Sequence, residues 1–212
     1  MDSPMVELWK LDDLIVPDIR IEALGRPAQD RAKRFTKPKD RDEFVAGRLA
    51  ALRFAASLLE VDSARLVPDY RCPQCGPSQD HGRPGFMLDG GPAPLSLSAS
   101  RAAGWVLLAA VVHPVDGLRL GVDLEAIDQA AFEGFDDVAL SENEKRFLSS
   151  VPEQERTWQR ARLWARKEAW LKMTGEGLRR NPAELDVLDI KGLRDITPTK
   201  LPDRLVAALA LG

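Results

Sequence analysis

The chain has 212 residues and a formal net charge of −3, with 44% hydrophobic and 30% charged residues. This composition is typical of a soluble protein with one large domain or two small ones, and it excludes bulk electrostatic binding of nucleic acid. No run of eighteen apolar residues is present, so no membrane span is predicted. The acidic N-terminus predicts no secretion signal, and two cysteines predict a reducing cytoplasm.

The first half of the chain mixes strand and helix patterns. Alternation of apolar and polar residues over 6–11 predicts an opening strand, and helical spacing over 41–59 predicts a long helix. Glycine and proline turns over 68–94 predict a loop that contains one short strand at 86–88. Two further strands are predicted at 95–100 and 105–112, the second of them buried.

The second half has a similar plan. A turn at 114–117 precedes a predicted strand over 118–125. Ser141 and Glu144 have the spacing of a capping box, and a long helix is predicted over 155–174, ended by Gly175. Closing strands are predicted at 185–190 and 205–211.

Each half therefore offers a helix and several strands, with a seam near residues 112–117. We expect an α+β fold of two similar lobes, residues 1–114 and 115–212, related by a pseudo-twofold axis. An active site at the lobe interface is expected, although no repeat in the sequence demonstrates a duplication.

The clearest chemical signal is the segment Gly121-Val122-Asp123-Leu124-Glu125. Side chains alternate along a strand, so Asp123 and Glu125 share one face while the leucines and valine point into a core. Two close carboxylates repel each other unless a cation or proton relieves them, and hard oxygen ligands suit Mg²⁺. The alternative is a half-exposed strand with an acidic outer face.

The second signal lies on the predicted helix 155–174. Trp164, Glu168 and Lys172 are spaced four residues apart and form one stripe, with Lys167 beside it. Glu168 is positioned to complete a metal shell with the two strand carboxylates. The alternative is a common surface ion pair between Glu168 and Lys172, which contributes only a few tenths of a kcal/mol.

Together the two motifs resemble the signature of the 4′-phosphopantetheinyl transferase superfamily. The strand motif is followed about forty residues later by Trp-Ala-Arg-Lys-Glu-Ala-Trp-Leu-Lys at 164–172 and by Gly-Glu-Gly-Leu at 175–178. The chain length resembles the long, two-lobed, monomeric branch typified by surfactin-synthetase activators. Similar segments in the first half are Lys33-Arg34-Phe35, Asp40-Arg41, Gly47-Arg48, His81-Gly82-Arg83-Pro84 and Leu97-Ser98-Ala99-Ser100.

The resemblance implies a reaction: transfer of the 4′-phosphopantetheine arm of coenzyme A to a serine of an apo acyl or peptidyl carrier protein, releasing adenosine 3′,5′-bisphosphate. It implies that Asp123, Glu125 and Glu168 hold Mg²⁺, or Mn²⁺, on the pyrophosphate. Glu168 is the expected proton acceptor, and Lys167 and Lys172 are expected on phosphate oxygens.

The first lobe is expected to bind the adenosine and 3′-phosphate end of coenzyme A. The candidates that the resemblance implies are Arg31, Arg48, Arg83 and Ser98. Ala99 departs from the family pattern, which has a histidine that contacts the 3′-phosphate at this position. Arg83 stands where the family has a lysine, and its guanidinium can bind a phosphate through two parallel hydrogen bonds.

The carrier and its pathway, whether fatty-acid, lysine or secondary-metabolite biosynthesis, are not encoded in these motifs. Basic segments at 20–53 and 156–180 suit a polyanionic ligand and an acidic carrier. The segment 132–147 has apolar residues at Phe132, Phe135 and Leu140 that are candidates for carrier docking; the alternative is that this segment packs on its own lobe.

Two other functions remain open. One is a metal-dependent phosphodiester or nucleotide hydrolase with the same carboxylates, and another is a non-catalytic acidic metal-binding docking module. Cys72, Cys75 and His81 could form a zinc site, but a second cysteine pair is missing, so a plain turn with two thiols is the favoured interpretation. A Ser-His-Asp hydrolase is not expected, since the chain has two histidines and no nucleophile elbow.

Overall fold

The computed structural model describes residues 3–14, 18–72, 75–76, 80–197 and 201–212. Helices and small antiparallel sheets are mixed along the chain, which confirms the α+β class. The chain divides into two compact units, Met1–Ala99 with Gly104–Gly117, and Ser100–Ala103 with Leu118–Gly212. The pseudo-twofold relation and an active site between the lobes stay predictions.

The first unit is built on a long helix and two three-stranded sheets. Its elements in chain order are β1 (Met5–Lys10), α1 (Gly25–Ala32), α2 (Pro38–Leu58), β2 (Leu66–Pro68), β3 (Phe86–Leu88), β4 (Gly91–Pro92), β5 (Leu95–Ala102) and β6 (Trp105–Val112), with 3-10 turns at Leu11–Leu14, Asp18–Leu24 and Ser63–Arg65. The strand orders are β1-β6-β5 and β2-β3-β4. The predicted strands at 86–88 and 105–112 are confirmed residue for residue.

Helix α2 contributes more buried apolar residues to the first unit's core than any other element. Pro38 lies in its first turn, where a missing backbone N–H costs nothing, and the helix continues from there for 21 residues. Its apolar face buries Leu52 and Phe54 in a cluster that also contains Val106 and Leu108 of β6. The apolar residues that recur with the 3.6-residue period of a helix thus pack against the sheet that contains β6.

The second unit places one long helix on a three-stranded sheet. Its elements are β7 (Leu120–Ala126), α3 (Phe135–Ala139), α4 (Glu142–Ser149), α5 (Glu153–Thr174), β8 (Leu193–Ile196) and β9 (Leu205–Leu211), with 3-10 turns at Ile127–Ala130, Gly177–Arg179 and Pro182–Glu184. The strand order is β7-β9-β8, and both pairings are antiparallel. The capping box of Ser141 and Glu144 is confirmed, and Gly175 ends α5 with a φ of 78°.

The predicted strand at 185–190 is wrong. Leu185 and Val187 are buried with the two-residue period of a strand, but the backbone of this segment is bound by side chains. The Val187 N–H donates to Glu144, and Arg166 donates to the Val187 carbonyl at 2.8 Å. A strand needs the same groups for a neighbouring strand, so the eighth strand forms later, at Leu193–Ile196.

None of the helices in the described ranges is long and apolar enough to span a bilayer.

Candidate active site

The site in the second unit depends on a very close approach of α5 to β7. A Cβ atom on Gly121 would lie 2.0 Å from the carbonyl oxygen of Ala169 and 2.6 Å from the Met173 nitrogen. Only glycine therefore allows the helix to rest on the strand at this point. The approach brings the face of β7 that carries Asp123 and Glu125 against α5.

This placement corrects the expectation that the carboxylates lie on an outer face. Asp123 is opposite Ala208 of β9, and directly paired residues share one face of a sheet. Ala208 belongs to the core cluster that contains Ala165 and Ala169 of α5. Asp123 is accordingly only 2% exposed, so it is a buried carboxylate and not a surface one.

Asp123 is held by two polar groups of the same unit. Its Oδ1 lies 2.5 Å from Lys172 Nζ and accepts a hydrogen bond of 2.7 Å from Ser100 Oγ. Lys172 Nζ is also 3.0 Å from Ser100 Oγ, which closes a triangle of contacts. The ammonium group supplies the charge that a buried carboxylate needs.

The two other predicted ligands have perturbed acidities. Burial, followed by the charge of Asp123, raises the pKa of Glu125 to about 8. Burial and then Asp123 also raise the pKa of Glu168, and Lys172 opposes that shift. Three carboxyl groups whose negative charges repel one another ionise together more easily when a divalent cation is bound between them.

The predicted metal ligands pass one test of fit. Asp123 Oδ2 is buried and, among the described residues, has no hydrogen-bond partner, which leaves a hard oxygen for a cation. Among the described residues, the only group of three possible ligand atoms that all lie within 4.8 Å of one another is Cys72, Cys75 and His81. The carboxylate oxygens of Asp123, Glu125 and Glu168 therefore do not all lie within this distance of one another.

Lys167 has a different environment from the one expected for a phosphate ligand. Its side chain is 0% exposed, and its Nζ lies 2.7 Å from Glu144 Oε2, which is also 0% exposed. The same ammonium donates to the carbonyls of Pro182, at 2.8 Å, and Leu185. These contacts satisfy all three of its N–H groups inside the unit, so we assign Lys167 a structural role.

Two of the first-unit candidates, Arg31 and Arg48, contact the same residue, Asp80. Arg31 Nη1 and Arg48 Nη2 both donate to the carbonyl oxygen of Asp80, at 3.0 and 2.5 Å. Each guanidinium also lies over the Phe44 ring, 5.2 Å from its centroid, and Arg48 lies 3.4 Å from the centroid of Tyr70. Aromatic contacts and a shared carbonyl fix both arginines in place.

The remaining first-unit candidates lie on strands or bridges. The backbone of Arg83 exchanges two hydrogen bonds with Arg71, and Ser98 on β5 is 5% exposed. Ala99 packs against the apolar cluster of α2, which gives its methyl group an apolar environment. Contacts of these residues with coenzyme A stay predictions.

Glu125 also lines an apolar groove with a volume of about 420 Å³. Phe132, Phe135 and Trp164 line it, and Phe135 meets Trp164 edge to face with ring centroids 6.2 Å apart. Phe132 is 56% exposed, as a docking residue should be. Phe135 and Leu140 are core residues at 5% and 1% exposure, so the expectation that they are exposed is wrong.

Two residues that shape the site were missed by the sequence argument. Ser100 was noted only as part of a motif, yet it bonds to both Asp123 and Lys172. Glu144 was assigned only a cap, yet it also binds Lys167 and the Val187 N–H. The signal that identifies Ser100 and Glu144 is the need of the buried Asp123 and Lys167 for polar partners.

Two comparisons with known proteins bear on this site. Residues 119–206 match the model of the 4′-phosphopantetheinyl transferase superfamily, and this range contains Asp123, Glu125, Glu168 and Lys172. The chain is also 27% identical to the 4′-phosphopantetheinyl transferase HetI of Nostoc sp. strain PCC 7120, over 98% of this chain and 81% of that protein. The resemblance to this superfamily is thereby confirmed.

Proposed function

We propose that the chain transfers the 4′-phosphopantetheine arm of coenzyme A to a serine hydroxyl of an apo carrier protein. The serine oxygen attacks the phosphorus that carries the arm, the bond to the bridging pyrophosphate oxygen breaks, and adenosine 3′,5′-bisphosphate leaves. The observation that carries the proposal is the buried Asp123, bound to Lys172 and Ser100, within the range that matches the superfamily.

The donor set suits a hard divalent cation, with Asp123, Glu125 and Glu168 as the residues that would hold Mg²⁺ or Mn²⁺. When bound, such an ion neutralises negative charge on the pyrophosphate. Oxygen-only ligands and the unpartnered Oδ2 of Asp123 support this assignment.

The protein's own groups provide the remaining chemistry. Glu168 is the proposed acceptor of the serine proton, because a raised pKa makes a carboxylate a more effective base near neutral pH. Lys172 is 32% exposed at its side chain, so its ammonium can reach a phosphate oxygen as well as Asp123. As charge shifts to the leaving phosphate, a lysine there stabilises the transition state.

The acceptor is proposed to dock beside the carboxylates. The apolar groove from Glu125 to Phe132 offers an exposed aromatic side chain next to the site. In the first unit, Arg31, Arg48, Arg83 and Ser98 are proposed for the adenosine and 3′-phosphate end of coenzyme A. Arg31 on α1 and Arg48 on α2 both donate to the Asp80 carbonyl, which supports this assignment, since two fixed guanidinium groups suit a phosphate.

To test the proposal, the protein is incubated with coenzyme A, Mg²⁺ and an apo carrier protein. The mass of the carrier is then measured by mass spectrometry. We expect the carrier to gain the arm, and Asp123→Asn to slow the transfer at least tenfold, a barrier increase of about 1.4 kcal/mol. The matched control is Asp128→Asn, an exposed aspartate of the same unit, which should transfer at the parent rate.

Two outcomes contradict the proposal. Loss of coenzyme A without transfer, with several carriers supplied, indicates a hydrolase. Unchanged coenzyme A and carrier, while isothermal titration still detects Mg²⁺, indicates a metal-binding docking module.

A further inference from the structure

The first unit contains a second cluster of metal-ligating side chains. One ligand atom from each of Cys72, Cys75 and His81 lies within 4.8 Å of the other two. We propose that these residues bind a zinc ion that ties Cys72 and Cys75 to His81. This inference concerns a site separate from the carboxylates of β7, with different ligand chemistry.

The backbone around the cysteines is shaped to face them toward each other. The Cys72 N–H donates to the Gly76 carbonyl at 3.0 Å, and the Gly76 N–H donates back to the Cys72 carbonyl at 2.9 Å. Gly76 has a φ of 86°, a conformation that favours glycine. Cys75, directly before this glycine, is therefore turned back toward Cys72.

A second close approach positions the histidine. A Cβ on Gly82 would lie 2.4 Å from the Arg71 carbonyl oxygen, and Gly82 has a φ of 94°. Arg71 and Arg83 exchange backbone hydrogen bonds of 3.0 and 2.8 Å on either side of this contact. Glycine at 82 thus allows the backbone that follows His81 to lie directly on the backbone that leads into Cys72.

The imidazole of His81 already has the partner that metal-bound histidines use. Its Nδ1 lies 2.7 Å from Asp80 Oδ1, and Arg34 holds the other oxygen of that carboxylate. When Nδ1 donates its hydrogen to Asp80, Nε2 keeps the lone pair that a metal needs. A carboxylate behind a ligating histidine fixes the ring and increases its basicity.

The ligand set selects the metal. Two thiolates and an imidazole are borderline-soft donors, which suit Zn²⁺ and not Mg²⁺ or Ca²⁺. Zn–S bonds of about 2.3 Å in a tetrahedron place two sulfurs about 3.8 Å apart, so a cluster within 4.8 Å needs only a small contraction. Water completes the fourth position, because a zinc ion takes four ligands.

The site has a consequence for the arginines of the same unit. Arg31 and Arg48 donate to the carbonyl of Asp80, one residue before the ligand His81. A metal that fixes His81 therefore also fixes the acceptor that orients both guanidinium groups. That these arginines then bind coenzyme A rests on the proposed function, whereas zinc binding does not.

The test is the metal content of the full chain, produced without an affinity tag and purified under reducing conditions. Inductively coupled plasma mass spectrometry should find one zinc per chain, and Cys72→Ser and Cys75→Ser should each bind less than a tenth of that. The control is His113→Asn, which replaces the only other histidine and should keep one zinc, while His81→Asn should lose it. Asparagine is chosen because His113 has a φ of 49°, which asparagine tolerates.

Cobalt substitution gives a second measurement on folded protein. After chelation and reloading with Co²⁺, a tetrahedral thiolate site shows visible bands and a sulfur-to-cobalt charge-transfer band, and Cys75→Ser should lose most of the latter together with the metal. The proposal is overturned if the parent chain takes up no more zinc than the Cys72→Ser/Cys75→Ser variant. A Cys72–Cys75 disulfide that persists under reduction overturns it too. Neither measurement uses coenzyme A or a carrier, so a failed transfer assay leaves this result intact.

Discussion

Two lysines five residues apart on α5 have opposite environments. Lys167 is completely buried and bonds to Glu144 and two backbone carbonyls, whereas Lys172 is a third exposed and bonds to Asp123 and Ser100. Both are lysines of the same motif, and both pair with a buried carboxylate. The difference is that Lys167 has no contact left to offer a ligand, while Lys172 retains access to solvent.

This comparison shows that one motif contains a fully buried lysine and a lysine that is accessible to solvent, and only the accessible one is available for the proposed chemistry. Lys167 ties α5 to α4 and to the segment that precedes β8, so it supports the helix on which Glu168 and Lys172 lie. The three predictions below test that division, starting with the largest effect.

Replacing Lys167 with alanine should be the most damaging change to stability. It leaves the buried carboxyl of Glu144 without its cation, and breaking a buried pair costs about 3–5 kcal/mol. Urea unfolding measures the loss. Lys145→Ala is the control, because its pairs with Asp137 and Glu142 are exposed and such pairs contribute about 0–1 kcal/mol.

The double variant Lys167→Met/Glu144→Gln sharpens this prediction. It removes both charges and keeps a side-chain oxygen that can accept from the Val187 N–H, so much of the stability should return because no unpaired charge stays buried. Equal stability of Lys167→Ala and the parent would show that the buried pair contributes nothing to folding.

Replacing Lys172 with alanine should act on catalysis more than on stability. The transfer rate should fall at least tenfold, because a phosphate contact is lost in the transition state. Unlike an exposed pair, this one leaves Asp123 buried beside Ser100 alone, so we also expect a cost of about 1–3 kcal/mol without Mg²⁺.

The Lys172→Arg variant separates the two effects. It keeps the positive charge beside Asp123 and should restore stability. Because a guanidinium differs in shape from an ammonium group, the transfer rate should recover only in part. A Lys172→Ala variant that transfers the arm at the parent rate would remove Lys172 from the reaction.

The third prediction is a pH dependence of stability that comes from Glu125. Its pKa is raised from 4.5 to about 8 in the folded protein, so between these values the folded state holds a proton that the unfolded state has released. The free energy of unfolding should therefore fall as pH rises through this window, by at most about 1.4 kcal/mol per pH unit. Thermal unfolding from pH 5 to 8 measures the slope.

Glu125→Gln should flatten this slope, with the remainder due to Glu168, whose pKa is also raised. The exposed Glu133→Gln is the control and should leave the slope unchanged. Saturating Mg²⁺ should stabilise the parent more at pH 8 than at pH 6, since a cation favours the ionised carboxylate. An identical slope in Glu125→Gln and the parent would contradict the assignment.

Local patterns determined much of the fold. Strands with continuous or alternating apolar residues, such as Trp105–Val112 and Leu205–Leu211, and the capping box at Ser141 were predictable because their signals depend on neighbours within a few residues. The segment 185–190 was not, because burial with a two-residue period does not reveal where the backbone hydrogen bonds go.

The chemistry divides in the same way. The sequence by itself placed Asp123 and Glu125 on one face of a strand and Glu168 and Lys172 on one face of a helix, since both follow from the repeat of the element. Only the tertiary structure decided that Asp123 is buried against α5, that Lys167 is engaged by Glu144, and that Cys72 and Cys75 meet His81. The burial of Asp123 depends on the close approach of Gly121 to α5, and the meeting of the cysteines with His81 on the approach of Gly82 to Arg71; no local period encodes such contacts.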